Sequence, residues 1–282
     1  FVDLGQAYWQ PTRGTVIKLK NFSQLTTSQT PQLLHFQALP LSLKQSETGT
    51  LWVYMSAKHY ATAASITLYD EAHFYHYQSV SNSLSLAAIS IMLLLSLLTF
   101  LIFIRTQERI AISCAGYVGL HGIGWAAASG LIEDFSMHST LNFSYLGMYI
   151  FPFAIACASQ FVADLFQCKT RFIHLYKALT LLTFFGLGLG TVMLFMPFKL
   201  VFYLSHALAI VWICFTLYIG CYMLKEKDFR AKYFLVGNLL YSGALLYYMA
   251  SHSQRFGPLE YPELMVVIAL ALDCICIVLS LS

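Results

Sequence analysis

From about Ser83 onward, apolar residues run in long unbroken stretches separated by short polar connections. About 20 apolar residues in a helix cross the roughly 30 Å of bilayer hydrocarbon. Seven stretches reach that length, near 83–104, 111–132, 142–165, 173–196, 199–224, 231–252 and 263–282. The first, SLSLAAISIMLLLSLLTFLIFI, holds no charge. Before residue 83 the pattern changes. Gln32–Leu41, Leu51–Ser56 and Ser65–Tyr69 are short, rich in strand formers and separated by Ser, Thr, Gly and Pro, which predicts antiparallel strands. The expected fold is an all-α membrane bundle of seven helices over 83–282, preceded by a small extracytoplasmic β-sandwich-like segment over 1–82. Roughly 80 residues without disulfides is small for a free-standing sandwich, so either further strands precede Phe1 or the segment leans on the bundle. Phe74, Tyr75 and Tyr77, with His73 and His76, read as a last strand entering the aromatic belt of the membrane interface, with a linker at Ser79–Ser83.

Charge then orients the bundle. Arg105 and Arg109 fall in the first connection, Lys169, Arg171 and Lys177 at the third, and Lys225, Lys227, Arg230 and Lys232 at the fifth; only Lys199 and Arg255 occupy the even ones. Lys and Arg are retained on the cytoplasmic side, so the odd connections are expected inside, the N-terminus outside and the C-terminus inside. A chain that is 58% hydrophobic and 10% charged departs far from the roughly 25% charged residues of soluble domains. The formal charge of +3 is accounted for by those connections, so no nucleic-acid partner is expected. The 7 cysteines all lie at or after Cys114, which leaves the outer segment without disulfides and fits a bacterial envelope protein. Cys274 and Cys276 point to different helix faces and read as packing residues. The chain opens on Phe1 without a leader and closes abruptly in an apolar stretch, so it is read as a trimmed piece with a cytoplasmic part removed.

Ionisable groups within a membrane are costly and therefore candidates for function. Asp273 lies midway along the last stretch, where it is either a polar switch or a carboxyl bonded to another helix. Asp164 and Gln160, one turn apart near the inner end of the third stretch, share a face and read as interfacial. His121 and His206 are equally open to an interhelical bonding role. In the outer segment Trp9, Trp52 and Tyr8 are candidates for stacking on a carbohydrate ligand. Glycines at 116, 119, 122 and 124, and at 186, 188 and 190, let helix backbones approach closely, and Pro152 requires a neighbouring helix to satisfy the carbonyl it frees. Three chemistries lack their residues. The last stretch has no lysine for a retinal Schiff base, no two histidines within a stretch have zinc-ligand spacing, and the nearest match to a GxSG turn, Ala127–Gly130, lacks its first glycine. No catalytic residue, metal site or cofactor is expected, and the chain is not read as an enzyme.

The sixth and seventh stretches, RAKYFLVGNLLYSGALLYYMASHSQRFGPLEYPELMVVIALALDCICIVLSLS, resemble the end of the seven-transmembrane receptors with diverse intracellular signalling modules, a bacterial sensor family. The resemblance rests on Arg230, Tyr233 and Phe234 opening the sixth stretch and Leu279 to Ser282 closing the seventh, with the YVGLHGIG texture of the second. The segment LHFQALPLSLKQSETGTLWVYMSAKHYATAASITLYDE is similar to the later half of that family's sensory β-domain. The resemblance implies a multi-pass receptor of the bacterial inner membrane. It would take a periplasmic ligand and act through a covalently linked diguanylate cyclase or histidine kinase module, as a homodimer where such modules work in pairs. It supplies no catalytic residue. The competing reading is a small-molecule transporter or channel lined by Asp164, Asp273, His121 and His206, against which stands the absence of an internal repeat among the stretches.

Overall fold

A computed structural model describes residues 4–22, 40–43, 45–56, 66–132, 146–251 and 262–281. In the N-terminal part three strands, β1 (Leu4–Pro11), β2 (Ile17–Phe22) and β3 (Gly49–Ser56), form one antiparallel sheet in the order β2-β1-β3. β3 falls where a strand was expected; β1 and β2 do not. Their signal is the alternation in GQAYW, where Gly5, Ala7 and Trp9 are buried and Gln6 and Tyr8 only partly so, the period of two that lines one face of a strand. Gly49 lies opposite Pro11, and a Cβ there would sit 2.6 Å from the Trp9 ring, so the strand end admits only glycine. Of the expected sandwich-like segment, the described residues hold one three-stranded sheet. One expectation needs correcting. Residues 66–69 are not a strand but an extended lead into a helix. Of the first expected strand, residues 32–39 lie outside the described residues, and Pro40 and Leu41 form no strand.

The seven apolar stretches fold as α1 (Glu71–Thr106), α2 (Arg109–Ala128), α3 (Leu146–Leu165), α4 (Ile173–Met193), α5 (Phe198–Lys225), α6 (Arg230–Ser251) and α7 (Pro262–Leu279), with a single helical turn at Cys168–Arg171 between α3 and α4. By length and composition α1 to α6 can each cross a membrane. α7 has 18 residues, about 27 Å at 1.5 Å per residue.

The main departure is at α1. The aromatic cluster read as a strand occupies its first two turns, and the presumed linker at Ser79–Ser83 is mid-helix. The side chain of Asp70 accepts the backbone N–H of His73 at 2.8 Å, and Glu71 stands in the first turn. A helix N-cap with an acidic first turn stabilises the helix by about 1 kcal/mol, enough to override the strand preference of a few aromatic residues. Tyr69 stacks back on His73 and Tyr77 with ring centroids 5.5 and 5.6 Å away. The resulting helix of 36 residues is about 54 Å long, well beyond the hydrocarbon thickness.

α2 packs against α1 and α3, α3 against α5, α5 against α6, α6 against α7, and α7 returns to α1; α4 lies outside this ring, against α3. Burial follows position: 67% of the apolar window of α2 is buried, against 17% for α4. Glycines serve the close approaches expected of them. A Cβ on Gly116 would meet the Cys157 sulfur at 2.8 Å, and one on Gly186 the Pro152 carbonyl oxygen at 2.8 Å; Gly188 has nothing within 4 Å. Pro152, inside α3, cannot donate to the carbonyl of Met148. Ser205 on α5 donates its hydroxyl to that carbonyl at 3.1 Å, which is the neighbouring-helix partner a membrane proline requires. At the other end of α3 the third and fifth connections interlock: Arg171 pairs with Asp228 at 3.0 Å, and the Arg230 guanidinium donates to the Leu165 carbonyl. The third and fifth basic connections therefore meet at one end of the bundle.

Candidate functional site

Among the described residues of the bundle, Asp273 is the most buried acidic or basic residue, with 0% exposure. Its Oδ2 accepts the hydroxyl of Tyr117 at 2.7 Å, which ties α7 to α2 across 156 residues of sequence. Its Oδ1 has no hydrogen-bond partner among the described residues. α6 reaches this carboxylate because residue 237 is glycine: a Cβ there would stand 2.5 Å from Oδ1 and 3.1 Å from the Asp273 Cα. Within a low-dielectric interior an oxygen left without a donor is costly. The site therefore has one made bond and one open acceptor, and the open acceptor favours any rearrangement of α2, α6 or α7 that brings it a donor.

One turn above Tyr117 on α2, His121 is 3% exposed. Its Nδ1 lies 3.0 Å from the Tyr117 carbonyl. Because a carbonyl only accepts, Nδ1 carries the proton and Nε2 of the neutral ring is an acceptor; it too has no partner among the described residues. The imidazole meets three rings edge-on: Tyr117 at 4.7 Å, Phe151 at 5.7 Å and Tyr241 at 6.0 Å between centroids. Tyr241, on α6 one turn beyond Gly237, is 2% exposed, and its hydroxyl is likewise unpartnered among the described residues. Asn238 turns inward, donating to the Phe234 carbonyl of its own helix at 3.1 Å.

The structure thus brings Asp273 and His121 together through Tyr117 and places His206 at the same end of the bundle as His121. His206 contacts its own helix, with Nδ1 2.8 Å from the Phe202 carbonyl. It does not bring Asp164 into the group. Asp164 lies at the opposite end of α3, where Gln160 donates to both its oxygens at 3.2 Å, the same-face pairing that their spacing implies. In the sheet, Tyr8 and Trp52 are directly opposite one another across β1 and β3, and Trp52 is 57% exposed. Trp9 is on the other face, 8% exposed, donating to Glu47 at 3.0 Å. All 7 cysteines are free, Cys274 being buried and Cys276 half-buried, as expected of residues on different faces. Sequence reasoning missed Tyr117, Gly237 and Tyr241, because a search for charges within apolar stretches passes over phenols and glycines. For the two tyrosines the signal was available in the rule that a buried tyrosine hydroxyl seeks a partner.

A multi-pass helical membrane protein with a polar cluster at its centre is the class that the fold defines. The family model described as 7TM diverse intracellular signalling, the 7TMR-DISM transmembrane region, matches residues 81–282. The chain belongs to this family, as the residues of its sixth and seventh helices imply. No curated protein matches the chain, and no solved structure does.

Proposed function

We propose that the chain is the sensory and transmembrane part of a bacterial inner-membrane receptor. A periplasmic signal received by the N-terminal segment (1–82) is relayed through a seven-helix domain (83–282), with α7 counted as the seventh span, to a cytoplasmic diguanylate cyclase or histidine kinase module. The observation that carries this reading is the continuity of α1. One uninterrupted helix runs from Glu71 to Thr106 and packs on both α2 and α7. A rigid helix transmits displacement or rotation with little loss, whereas a flexible linker would absorb it. The helix that leaves the N-terminal segment thus touches the helix from which an output module would continue, and the Asp273–Tyr117 side-chain bond bridges α7 to α2. A stimulus can shift such a bundle only through its differing affinity for two packings, and the open acceptor on Asp273 supplies a second packing with a lower polar cost. The exposed Trp52, with the half-buried Tyr8 opposite it, offers a stacking surface for a carbohydrate ligand, and a homodimer suits output modules that act in pairs.

The test uses the full-length protein with its output module. Insertion of three glycines after Asn82, within α1, is expected to abolish the response to stimulus while leaving basal output in place, and Asp273→Asn is expected to shift basal output. Unchanged stimulated and basal activities in both variants would sink the relay. Alkaline phosphatase fusions at the 133–145 and 252–261 connections should be active and those at 107–108 inactive if the basic end faces the cytoplasm. Substrate flux through the chain in liposomes would establish the transporter instead.

A further inference from the structure

α1 and α7 pack on one another, but toward the C-terminal end of α1 a groove of about 420 Å³ stays open between them. Leu95, Leu98 and Ile102 of α1 line it with Val278 of α7. The hydroxyl of Thr99, also in the wall, already donates to the Leu95 and Ser96 carbonyls at 2.9 and 3.0 Å, so this part of the groove is apolar in effect. The exception is Arg105, in the last turn of α1, which lines the end of the groove. Arg105 is exposed and forms no ion pair among the described residues.

We infer that this groove seats one acyl chain of an anionic phospholipid, with the phosphate at Arg105. Length, volume and charge each select that occupant. From Leu95 to Arg105 the helix rises about 15 Å, half of the roughly 30 Å of hydrocarbon and so the depth of one leaflet. Arg105 follows directly on the uncharged stretch 83–104, which puts its guanidinium where hydrocarbon gives way to headgroups. A cavity of roughly 150 Å³ holds benzene, so at the same allowance per carbon about 420 Å³ takes about 16 carbons, the size of one acyl chain. A helix segment of that length and about 10 Å across would need about 1,200 Å³, so the groove does not take up a helix of a second copy. Arg105 and Arg109 flank the connection after α1, in which Glu108 is the one acid. That balance favours a headgroup of net negative charge over a zwitterionic one, and a guanidinium can meet its phosphate with two parallel N–H donors. The inference does not rest on the receptor reading, because lipid retention is measured without any output.

The test is native mass spectrometry of the full-length protein released from micelles that hold phosphatidylglycerol and phosphatidylcholine in equal amounts, two lipids with the same chains and different net charge. Wild-type protein is expected to retain phosphatidylglycerol about fivefold over phosphatidylcholine, the factor that one arginine at the membrane surface supplies. Arg105→Gln is expected to remove the preference and Arg105→Lys to keep most of it, while Lys232→Gln, on α6 and outside the groove, leaves it unchanged. Leu98→Trp, which fills the groove from α1, is expected to abolish retention of both lipids with the helical circular dichroism intact. Excess inorganic phosphate, which carries the charge without the chain, is expected to displace neither. Equal retention of the two lipids by wild-type protein, or none, would mean that bulk lipid fills the groove. A preference lowered as far by Lys232→Gln as by Arg105→Gln would mean general attraction to the basic connections, and displacement by phosphate a site for the free anion. Loss of a dimer in Leu98→Trp, with lipid retention unchanged, would give the groove to a second copy. Each of these results overturns the assignment.

Discussion

Removing the Tyr117 hydroxyl is the sharpest perturbation of the central cluster, because it deletes one atom and leaves the ring in place. Tyr117→Phe deprives Asp273 of the donor to Oδ2, and Oδ1 is already without one, so a carboxyl with 0% exposure is left without a donor from any described residue. Mutational series on soluble proteins put a hydrogen bond to a charged group at about 1.5–3 kcal/mol. Interhelical bonds within membranes average about 0.6 and reach about 1.7 kcal/mol, because the unfolded chain also finds partners there. A contact of 2.7 Å between fully enclosed groups belongs at the upper end of the membrane range, so about 1.5 kcal/mol is expected for the pair. The measurement is a double-mutant cycle of Tyr117→Phe with Asp273→Leu, an apolar substitution with the same number and branching of side-chain heavy atoms. Unfolding is followed by circular dichroism in mixed micelles titrated with dodecyl sulfate. Each single variant leaves one polar group stranded, whereas the double variant leaves neither, so the double should be more stable than the sum of the singles by about 1.5 kcal/mol. An interaction energy within about 0.5 kcal/mol of zero, the range in which independent sites add, would refute the reasoning that α2 and α7 are held together through this bond.

Other consequences are more local. Ser205→Ala should destabilise the bundle by about 1 kcal/mol by stranding the Met148 carbonyl, and the cost should vanish in a Pro152→Ala background, where α3 supplies its own N–H; equal costs in both backgrounds would detach Ser205 from the proline. Gly186→Ala should cost about 1–3 kcal/mol by forcing α4 away from the Pro152 carbonyl, whereas Gly188→Ala, with open space around it, should be neutral or slightly stabilising in the same unfolding titration. Asp70→Ala should remove the cap that starts α1, costing about 1 kcal/mol, seen as faster hydrogen exchange over residues 71–74 with exchange in the membrane part unchanged.

How much of this was legible depends on how local the governing physics is. The apolar stretches and their basic connections declare themselves residue by residue, because a helix in lipid must be apolar along about 20 consecutive positions; the ends of α3 to α7 accordingly fall within a few residues of where the pattern put them. The start of α1 was misplaced because two local signals compete there. The aromatic run from Phe74 to Tyr77 favours a strand and the Asp70 cap favours a helix, and the cap's bond to His73 had to be seen to decide between them. β1 was legible only in a weak alternation over a few residues.

The candidate site divides along the same line. Asp273 and His121 stand out in the sequence because charge and imidazole are rare in apolar stretches, and Gln160 with Asp164 because four residues on a helix make neighbours. Which of them meet is set by the packing of α1, α2, α6 and α7, contacts such as that of Tyr117 with Asp273, 156 positions apart, that no local pattern encodes. The sequence by itself therefore determined that this chain is a bundle of membrane helices and marked its improbable polar residues. Only the tertiary structure decided that Tyr117 and Gly237 make a site of Asp273, that Ser205 answers Pro152, and that α1 runs unbroken into the bundle. The reason is physical: burial in lipid acts on each residue separately, whereas satisfying a buried polar group takes a partner that only packing can deliver.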